Sequence, residues 1–305
     1  MPETGTTTAR RERPQGPAPT PETASLSHEE RKSVTHGGFW IPERERRVYQ
    51  EALTVLNAAG VPYIVSGLYA VYEYTGIYRE TKDLDLFFEP GRVVAAAEAL
   101  KAAGFETRLE QVHWLGKAFK DGVQVDLIYG IGNGLFLIDE GWYRNSRPAL
   151  LAATPVRIAP PEELIFHRLF ISERHRWDMS DVAHLILMRG HELDWNRLVQ
   201  RTGDHWRLLL AQIVLFDYVY PGYRDRVPRE VRRDLFERAL GEIDLVTDTD
   251  AFRGTLLSRF SFSIDVNEWG LRDLRTEAIA ATRLLPVIEE IRSAHVWDSQ
   301  ESDGG

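Results

Sequence analysis

The sequence predicts an α+β protein whose first half alternates strands and helices and whose second half is mainly helical. Residues 61–89 contain a short apolar strand, a helix and a second apolar strand in succession. An Asp-Gly pair at residues 121–122 lies between two runs with strand alternation, which is typical of a β-hairpin. From Pro160 onward, apolar residues recur mainly at helical spacing.

The composition is that of a globular protein with one large or two small domains: 305 residues, 43% hydrophobic and 27% charged. The absence of cysteine excludes disulfides, thiolate metal sites and a cysteine nucleophile, and it fits the cytoplasm, where we expect the protein to act. The net charge of −9 opposes loose binding to nucleic acid or to an anionic membrane. The longest apolar run, residues 208–216, is too short to cross a bilayer, and no export signal is visible.

Both ends of the sequence are expected to lack packed structure. Residues 1–38 are rich in Thr, Pro, Glu and Arg and have few large apolar side chains, so burial cannot offset the entropy lost on ordering. We expect a disordered tail there and a frayed tail over residues 299–305. Between them, an apolar stripe over residues 43–59 predicts a first helix that ends at Gly60.

The central stretch begins with a buried strand, predicted over residues 61–65, that enters a small-residue turn at Ser66-Gly67. A helix over residues 68–74 should follow and end at Gly76, and a second strand should occupy residues 84–88. Glycine at the start of a helix lets backbone N–H groups approach a phosphate closely. The turn is therefore a candidate phosphate-binding element.

Asp83 and Asp85 stand at the start of the second strand. Because they are two positions apart, their side chains should leave the same face of the strand. Two carboxylates beside an apolar strand are costly unless a cation neutralises them, and Mg²⁺ prefers oxygen ligands together with substrate phosphates. The pair therefore predicts a metal site for phosphoryl chemistry. The alternative is that both residues begin an exposed edge strand.

A third carboxylate, Asp126, lies in the second strand of the predicted hairpin, residues 123–129. It shares a strand face with Gln124 and Ile128, and an Asp within an apolar strand needs a metal, an Arg or a helix N-terminus beside it. The alternative is a salt-bridged structural Asp.

Taken together, Ser66-Gly67, residues 79–86 (RETKDLDL) and Asp126 resemble the DNA polymerase β-type nucleotidyltransferase superfamily. The likeness is closer to a group of bacterial proteins described only as nucleotidyltransferase family members, and it extends from about residue 61 to beyond residue 270. In that group it includes residues 113–119, 132–134, 181–186 and 218–221. The resemblance implies a small mixed sheet with flanking helices, a helical C-terminal part, and Mg²⁺-dependent transfer of a nucleoside monophosphate from an NTP, such as ATP, with release of pyrophosphate.

The resemblance also implies residue roles and a domain division. Asp83 and Asp85 would hold one or two Mg²⁺ ions, Asp126 would complete the catalytic metal site and help to deprotonate the attacking hydroxyl, and Ser66-Gly67 would hold the β- and γ-phosphates. The catalytic domain would span residues 39–159, and the helical domain residues 160–298.

Three basic residues are further candidates for phosphate contact. Arg168 occupies the position at which the resembled proteins carry a Lys thought to contact the triphosphate. Lys82 directly precedes the Asp pair, and Lys117 lies close to Trp114, which could stack a base. For Lys82 and Lys117 a solvated surface charge is the alternative, and for Trp114 a packed core residue.

Asp178, Asp181 and His184 share one side of a predicted helix, but as metal ligands they are weak candidates. The two acids stand where an N-cap and a first-turn acid are favoured in any helix.

The acceptor is expected to be a hydroxyl on a small molecule or on a defined protein or RNA end, not bulk polynucleotide. The arginine clusters are interleaved with acids, as in residues 224–226 and 229–234, and the whole chain is acidic. Three alternatives stay open at this point: a toxin-type transferase that modifies RNA, a glycosyltransferase with an Asp-x-Asp metal pair, and an NTP-binding protein without catalysis.

Overall fold

The computed structural model describes residues 39–173, 176–246, 248–281 and 285–298. The two predicted tails, residues 1–38 and 299–305, lie outside the described residues. The division into domains at residue 160 stays a prediction.

A seven-stranded mixed sheet forms the centre of the molecule, in the order β3-β4-β5-β2-β1-β7-β6. Its strands are β1 Ile64–Val65, β2 Asp83–Phe87, β3 Glu106–Gln111, β4 Leu115–Lys120, β5 Val123–Ile128, β6 Arg147–Leu151 and β7 Thr154–Ile158. The pairs β2–β5 and β1–β7 are parallel, and the other neighbours are antiparallel. The strand that carries the Asp pair, β2, is therefore central, with β1 and β5 as its neighbours.

Helices cover the sheet and bury its apolar residues. Those of the first half are α1 Glu43–Ala58, α2 Gly67–Thr75, α3 Pro90–Ala102 and α4 Glu140–Arg144. The α1 helix buries Val48, Leu53 and Leu56, as its apolar stripe predicts. The α2 helix ends at Gly76, which adopts the left-handed conformation with φ 70°.

The second half is mainly helical within the described residues, which confirms the predicted fold class. Its helices are α5 Pro161–Arg168, α6 Met179–Arg189, α7 Trp195–Thr202, α8 Trp206–Val219, α9 Arg229–Gly241, α10 Ser263–Asn267, α11 Leu274–Ala281 and α12 Leu285–Ser293. Two small strand pairs join β8 Ser172–Glu173 to β9 Arg176–Trp177, and β10 Ala251–Phe252 to β11 Arg272–Asp273. No helix among the described residues is long and apolar enough to cross a membrane.

The predicted hairpin is confirmed, including its turn. Asp121 and Gly122 both have positive φ, 51° and 71°, as a type I′ turn requires. Directly after Pro160 the helical part of the chain begins with the short helix α5. It ends at Arg168, and Ser172 belongs to β8, where it pairs with Trp177.

Candidate active site

Three carboxylates lie on one face of the sheet, on two adjacent parallel strands. Asp85 on β2 is the direct register partner of Asp126 on β5, and Asp83 precedes Asp85 by two residues. The burial of β2 alternates, with Leu84 and Leu86 fully buried and both aspartates only partly buried. This alternation places Asp83 and Asp85 on the face that lines a cavity, as their spacing predicts.

The carboxylates disturb one another because they are close together and poorly hydrated. Burial and then the charge of Asp83 raise the pKa of Asp126 from 3.8 to about 6. The pKa of Asp85 is also raised, first by burial and then by Asp83 and Asp126. The cluster therefore holds negative charge at a free-energy cost that a cation would remove.

Gly67, the first residue of α2, packs directly against Asp85. Its φ is +60°, and a Cβ atom built at this position would lie 1.8 Å from Asp85 Oδ2. A side chain larger than hydrogen cannot fit there unless the carboxylate moves. Ser66 precedes it with a buried side chain, and its backbone N–H donates to Asp85 O at 2.9 Å. The predicted phosphate turn and the first carboxylate strand are thus held together.

The cavity above the carboxylates has a volume of about 840 Å³. This lies within the range of about 300–1,000 Å³ typical of small-ligand sites. Residues of the sheet form its floor, residues of α5 and of the β8–β9 pair form one wall, and residues 255–260 form another. Gly132 and Asn133, from the glycine-rich loop that follows β5, also line it, together with Trp114.

Arg168 lines the cavity, but its side chain is almost fully buried and already engaged. Its Nε donates to Asp181 Oδ2 at 3.1 Å, and its Nη1 donates to Leu164 O at 3.2 Å. Asp181 also accepts a hydrogen bond from Arg79, whose side chain is 44% exposed and lines the cavity as well. One buried carboxylate thus holds two guanidinium groups beside the cavity.

Another arginine of the cavity lining, Arg176, is paired with Asp178. Arg176 donates to Asp178 from Nε at 3.0 Å and from Nη2 at 2.9 Å. Its charge and that of Arg168 both favour ionised Asp85. Beside them, burial and the charges of Arg168 and Arg176 lower the pKa of His167 to about 3, so this imidazole is neutral at physiological pH.

The acids of α6 stand at the N-cap and in the first turn, as the sequence predicts, but their carboxylates bind arginines. Asp178 occupies the N-cap position, but its carboxylate accepts no cap hydrogen bond and binds Arg176 instead. Asp181 is buried as the partner of Arg168 and Arg79. The predicted positions are confirmed, since Asp178 is the N-cap residue and Asp181 lies in the first turn, but the Asp178 side chain makes no cap hydrogen bond because Arg176 binds it.

Two other predicted phosphate-binding residues stand outside the cavity lining. Lys82 is exposed. Lys117 pairs in register with Asp126 across β4 and β5, and its charge opposes the rise in the pKa of Asp126. The structure therefore gathers Gly67, the three carboxylates and Arg168 at one cavity and leaves the two lysines at its margin.

Sequence analysis missed the cavity residues Arg79, Arg176 and Arg259. Arg79 stood within the quoted residues 79–86, where its position four residues before Asp83 could have singled it out. The other two carried no signal, because only long-range packing brings them to the sheet.

The donor set is suited to a hard divalent cation, because carboxylate oxygens are the ligands that Mg²⁺ prefers. Two of the carboxylates each have one oxygen engaged by a neighbouring side chain. Thr81 Oγ1 donates to Asp83 Oδ1 at 2.7 Å, and Gln124 Nε2 donates to Asp126 Oδ1 at 2.6 Å. Accordingly, no group of three or more His, Cys, Asp or Glu side chains in the described part of the chain converges on a single metal position. The raised pKa values and the remaining free oxygens fit a cation that would draw the groups together.

Comparison with known proteins connects this geometry to a family. The model of a family described as "Uncharacterised nucleotidyltransferase" matches residues 42–213, more than half of the chain. The match contains Gly67, all three carboxylates and Arg168, and it ends before residues 255–260. A search of curated proteins gave no match.

Several solved structures are similar in part. The antibiotic-resistance factor ANT(2'')-Ia, in complex with adenylyl-2''-tobramycin, is 17% identical over 54% of this chain and 98% of its own, with a TM-score of 0.41. The lincomycin-bound lincosamide antibiotic adenylyltransferase LnuA is 15% identical over 48% and 96%, with a TM-score of 0.34. A CCA-adding enzyme with ATP is 14% identical over 83% and 70%, with a TM-score of 0.28.

Proposed function

We propose, from the premise that this chain belongs to the nucleotidyltransferase family whose model it matches, that it moves a nucleoside monophosphate from an NTP to a hydroxyl acceptor. The observation that carries the proposal is the carboxylate cluster at the cavity floor. Asp83, Asp85 and Asp126 share one face of two parallel strands, and the pKa values of Asp85 and Asp126 are raised. Such a cluster is costly to maintain, so its place at a ligand-sized cavity supports a role in binding charge.

Asp83, Asp85 and Asp126 would hold the divalent cation, which we propose to be Mg²⁺. When bound, the metal would neutralise charge on the phosphates and lower the barrier to displacement. The remaining chemistry belongs to the residues of the chain, which bind and orient the two substrates.

In the proposed reaction the acceptor oxygen forms a new bond to the α-phosphorus, and the bond between that phosphorus and the α–β bridging oxygen breaks. Pyrophosphate leaves with the electron pair of the broken bond. The hydroxyl proton passes to a carboxylate, and we assign this role to Asp126, which lies in register beside Asp85 and lines the cavity.

The cations beside the cavity support the orientation of the leaving group. Arg176 and Arg168 act on Asp85, so a polyphosphate held there would lie between these arginines and the metal ligands. Gly67 leaves room for the approach because it has no side chain. Arg168 would act mainly through its charge, since Asp181 and Leu164 already accept hydrogen bonds from it.

The test is incubation of the protein with each NTP, Mg²⁺ and a small-molecule extract, with products identified by mass spectrometry. We expect a product heavier than its acceptor by one nucleoside monophosphate, and its formation should stop when EDTA is present. Nucleotide that binds without forming any product would instead indicate an NTP-binding protein without transfer.

A further inference from the structure

One wall of the cavity is formed by a segment that the family match does not include. Residues 254–260, named here the arm, follow β10 and lie across from the carboxylate floor. The arm supplies Leu257, Arg259 and Phe260 to the cavity. The arm completes the site, but it lies outside the part of the chain that matches the family. A difference in substrate between relatives would arise in such a segment.

Hydrogen bonds fix the arm to the matched part of the chain. Leu257 O accepts from the backbone N–H of Ser172 at 3.3 Å, and Ser258 Oγ donates to the Glu173 carboxylate. Further along the chain, buried Arg275 donates from Nε to the backbone carbonyl of Asn133 in the opposite loop. These hydrogen bonds hold the arm in place as a packed part of the fold.

Arg259 differs from the other arginines of the cavity. Arg79, Arg168 and Arg176 each have a carboxylate partner. Arg259 is exposed, and within the described ranges it makes no hydrogen bond and no ion pair. Two acids that line an adjoining cleft together with Arg259 are occupied, because Ser258 donates to Glu173 and Thr255 donates to Asp273. A guanidinium with five donors and no partner at a ligand-sized cavity is suited to an anionic ligand.

Electrostatics separate Arg259 from the polyphosphate end of the cavity. The arginines that act on Asp85 are Arg176 and Arg168, whereas the charge of Arg259 acts on His113 and Arg275. The geometry agrees, because Arg259 and Phe260 also line the adjoining cleft with Arg275, and none of the three carboxylates of the floor lines that cleft. Arg259 therefore lies toward the end of the cavity that the donor phosphates would leave free. Around it the surface is apolar: the Phe260 side chain is 77% exposed, and Trp114, Ile131 and Leu257 line the same space.

We infer that the arm binds the acceptor, and that the acceptor is a small molecule that carries a hydroxyl, an apolar body and an anionic group such as a carboxylate. This inference rests on the proposed function. Arg259 binds the anionic group, Phe260 and Leu257 cover the apolar body, and the hydroxyl points to the carboxylate floor. A cavity of about 840 Å³ that must also admit an NTP leaves room for a small acceptor only.

A matched pair of probes tests the charge preference. para-(Hydroxymethyl)benzoate and para-(hydroxymethyl)benzamide share a ring and a hydroxyl and differ in charge. Binding of each to the full-length protein is measured by titration calorimetry with Mg²⁺ and a non-hydrolysable ATP analogue present. We expect the acid to bind at least about tenfold more tightly than the amide, the scale of a hydrogen bond to a charged group.

Variants assign that preference to Arg259. Arg259→Gln should remove the difference between acid and amide and leave affinity for the ATP analogue unchanged, and Arg259→Lys should retain part of the difference. Arg253→Gln is the matched control, because Arg253 is an exposed arginine just before the arm that does not line the cavity. It should behave as the wild type.

Three results would overturn the inference. The wild type could show no preference for the acid, the preference could persist in Arg259→Gln, or that variant could lose affinity for the ATP analogue as much as for the acid. Failure of the proposed function looks different. In that case the ATP analogue would not bind, or no nucleotide would be transferred, whatever the preference between the two probes.

Discussion

Gly67 and Asp85 are in direct contact: a Cβ atom at residue 67 would stand 1.8 Å from Asp85 Oδ2. The first turn of α2 and the carboxylate of β2 can therefore coexist only because residue 67 has no side chain. This contact joins the turn predicted to bind phosphate and the strand predicted to bind metal. The site therefore requires glycine at residue 67 as specifically as it requires aspartate at residue 85.

Gly67→Ala should weaken Mg²⁺-dependent nucleotide binding by about tenfold or more, because the Asp85 carboxylate must move away. Gly76→Ala is the control. It has a similar positive φ, 70°, but open space around it, so it should cost only about 1 kcal/mol of backbone strain. Titration calorimetry and thermal unfolding separate the two effects. Equal nucleotide affinity in both variants would show that the contact with Asp85 has no functional weight.

Asp126→Asn should stabilise the metal-free protein, and more at pH 8 than at pH 5. Burial and the charge of Asp83 raise the folded pKa of Asp126 from its usual 3.8 to about 6, so the ionised carboxylate costs stability in full above that pKa, and the cost declines as the pH falls and is gone below 3.8. Chemical denaturation at both pH values measures this, with exposed Asp244→Asn as the control. A destabilisation that is the same at both pH values would contradict the assignment. In the presence of Mg²⁺ and NTP, the variant should still bind nucleotide but lose turnover by ~10² or more.

Arg168→Ala should lower the free energy of unfolding by about 3 kcal/mol, because it leaves part of the charge of buried Asp181 uncompensated. Arg176→Ala removes the Arg176–Asp178 pair, in which the arginine side chain is 58% exposed, and should cost less, about 1 kcal/mol. Denaturant titration compares the two. If Arg168→Ala kept full stability and only raised the NTP concentration required for activity, the main role of Arg168 would be to bind the triphosphate.

Generic RNA and DNA should bind only weakly, since a net charge of −9 offers no basic stripe to neutralise several phosphates. Filter binding at two salt concentrations measures this. Sub-micromolar affinity at physiological salt that falls steeply as salt rises would favour an RNA-modifying transferase instead.

Local pattern was sufficient to predict the parts of the site that lie within one element. The shared face of Asp83 and Asp85 follows from strand alternation, and the turn at Asp121-Gly122 follows from the conformations open to those two residues. The change to helical spacing after Pro160 was also predicted correctly, since α5 begins at Pro161, where proline is favourable in the first turn.

The pairing between strands that are distant along the chain could not be predicted from the sequence. The register that sets Asp85 beside Asp126 joins strands 41 residues apart, and nothing local to either strand fixes it. The β6–β7 hairpin was not predicted at all. The partners of Asp181 come from before β2 and from α5, so their competition with helix capping became visible only once the chain was folded.

The most direct measurement follows the phosphorus atoms of the donor. ATP labelled at the α-phosphate and ATP labelled at the γ-phosphate are each incubated with protein, Mg²⁺ and a small-molecule extract, and Asp85→Asn serves as the comparison. We expect that only the α-label reaches an acceptor, that the γ-label appears in pyrophosphate, and that Asp85→Asn, still folded, does neither. Transfer of the γ-label, or α-label transfer that persists in Asp85→Asn, would contradict it.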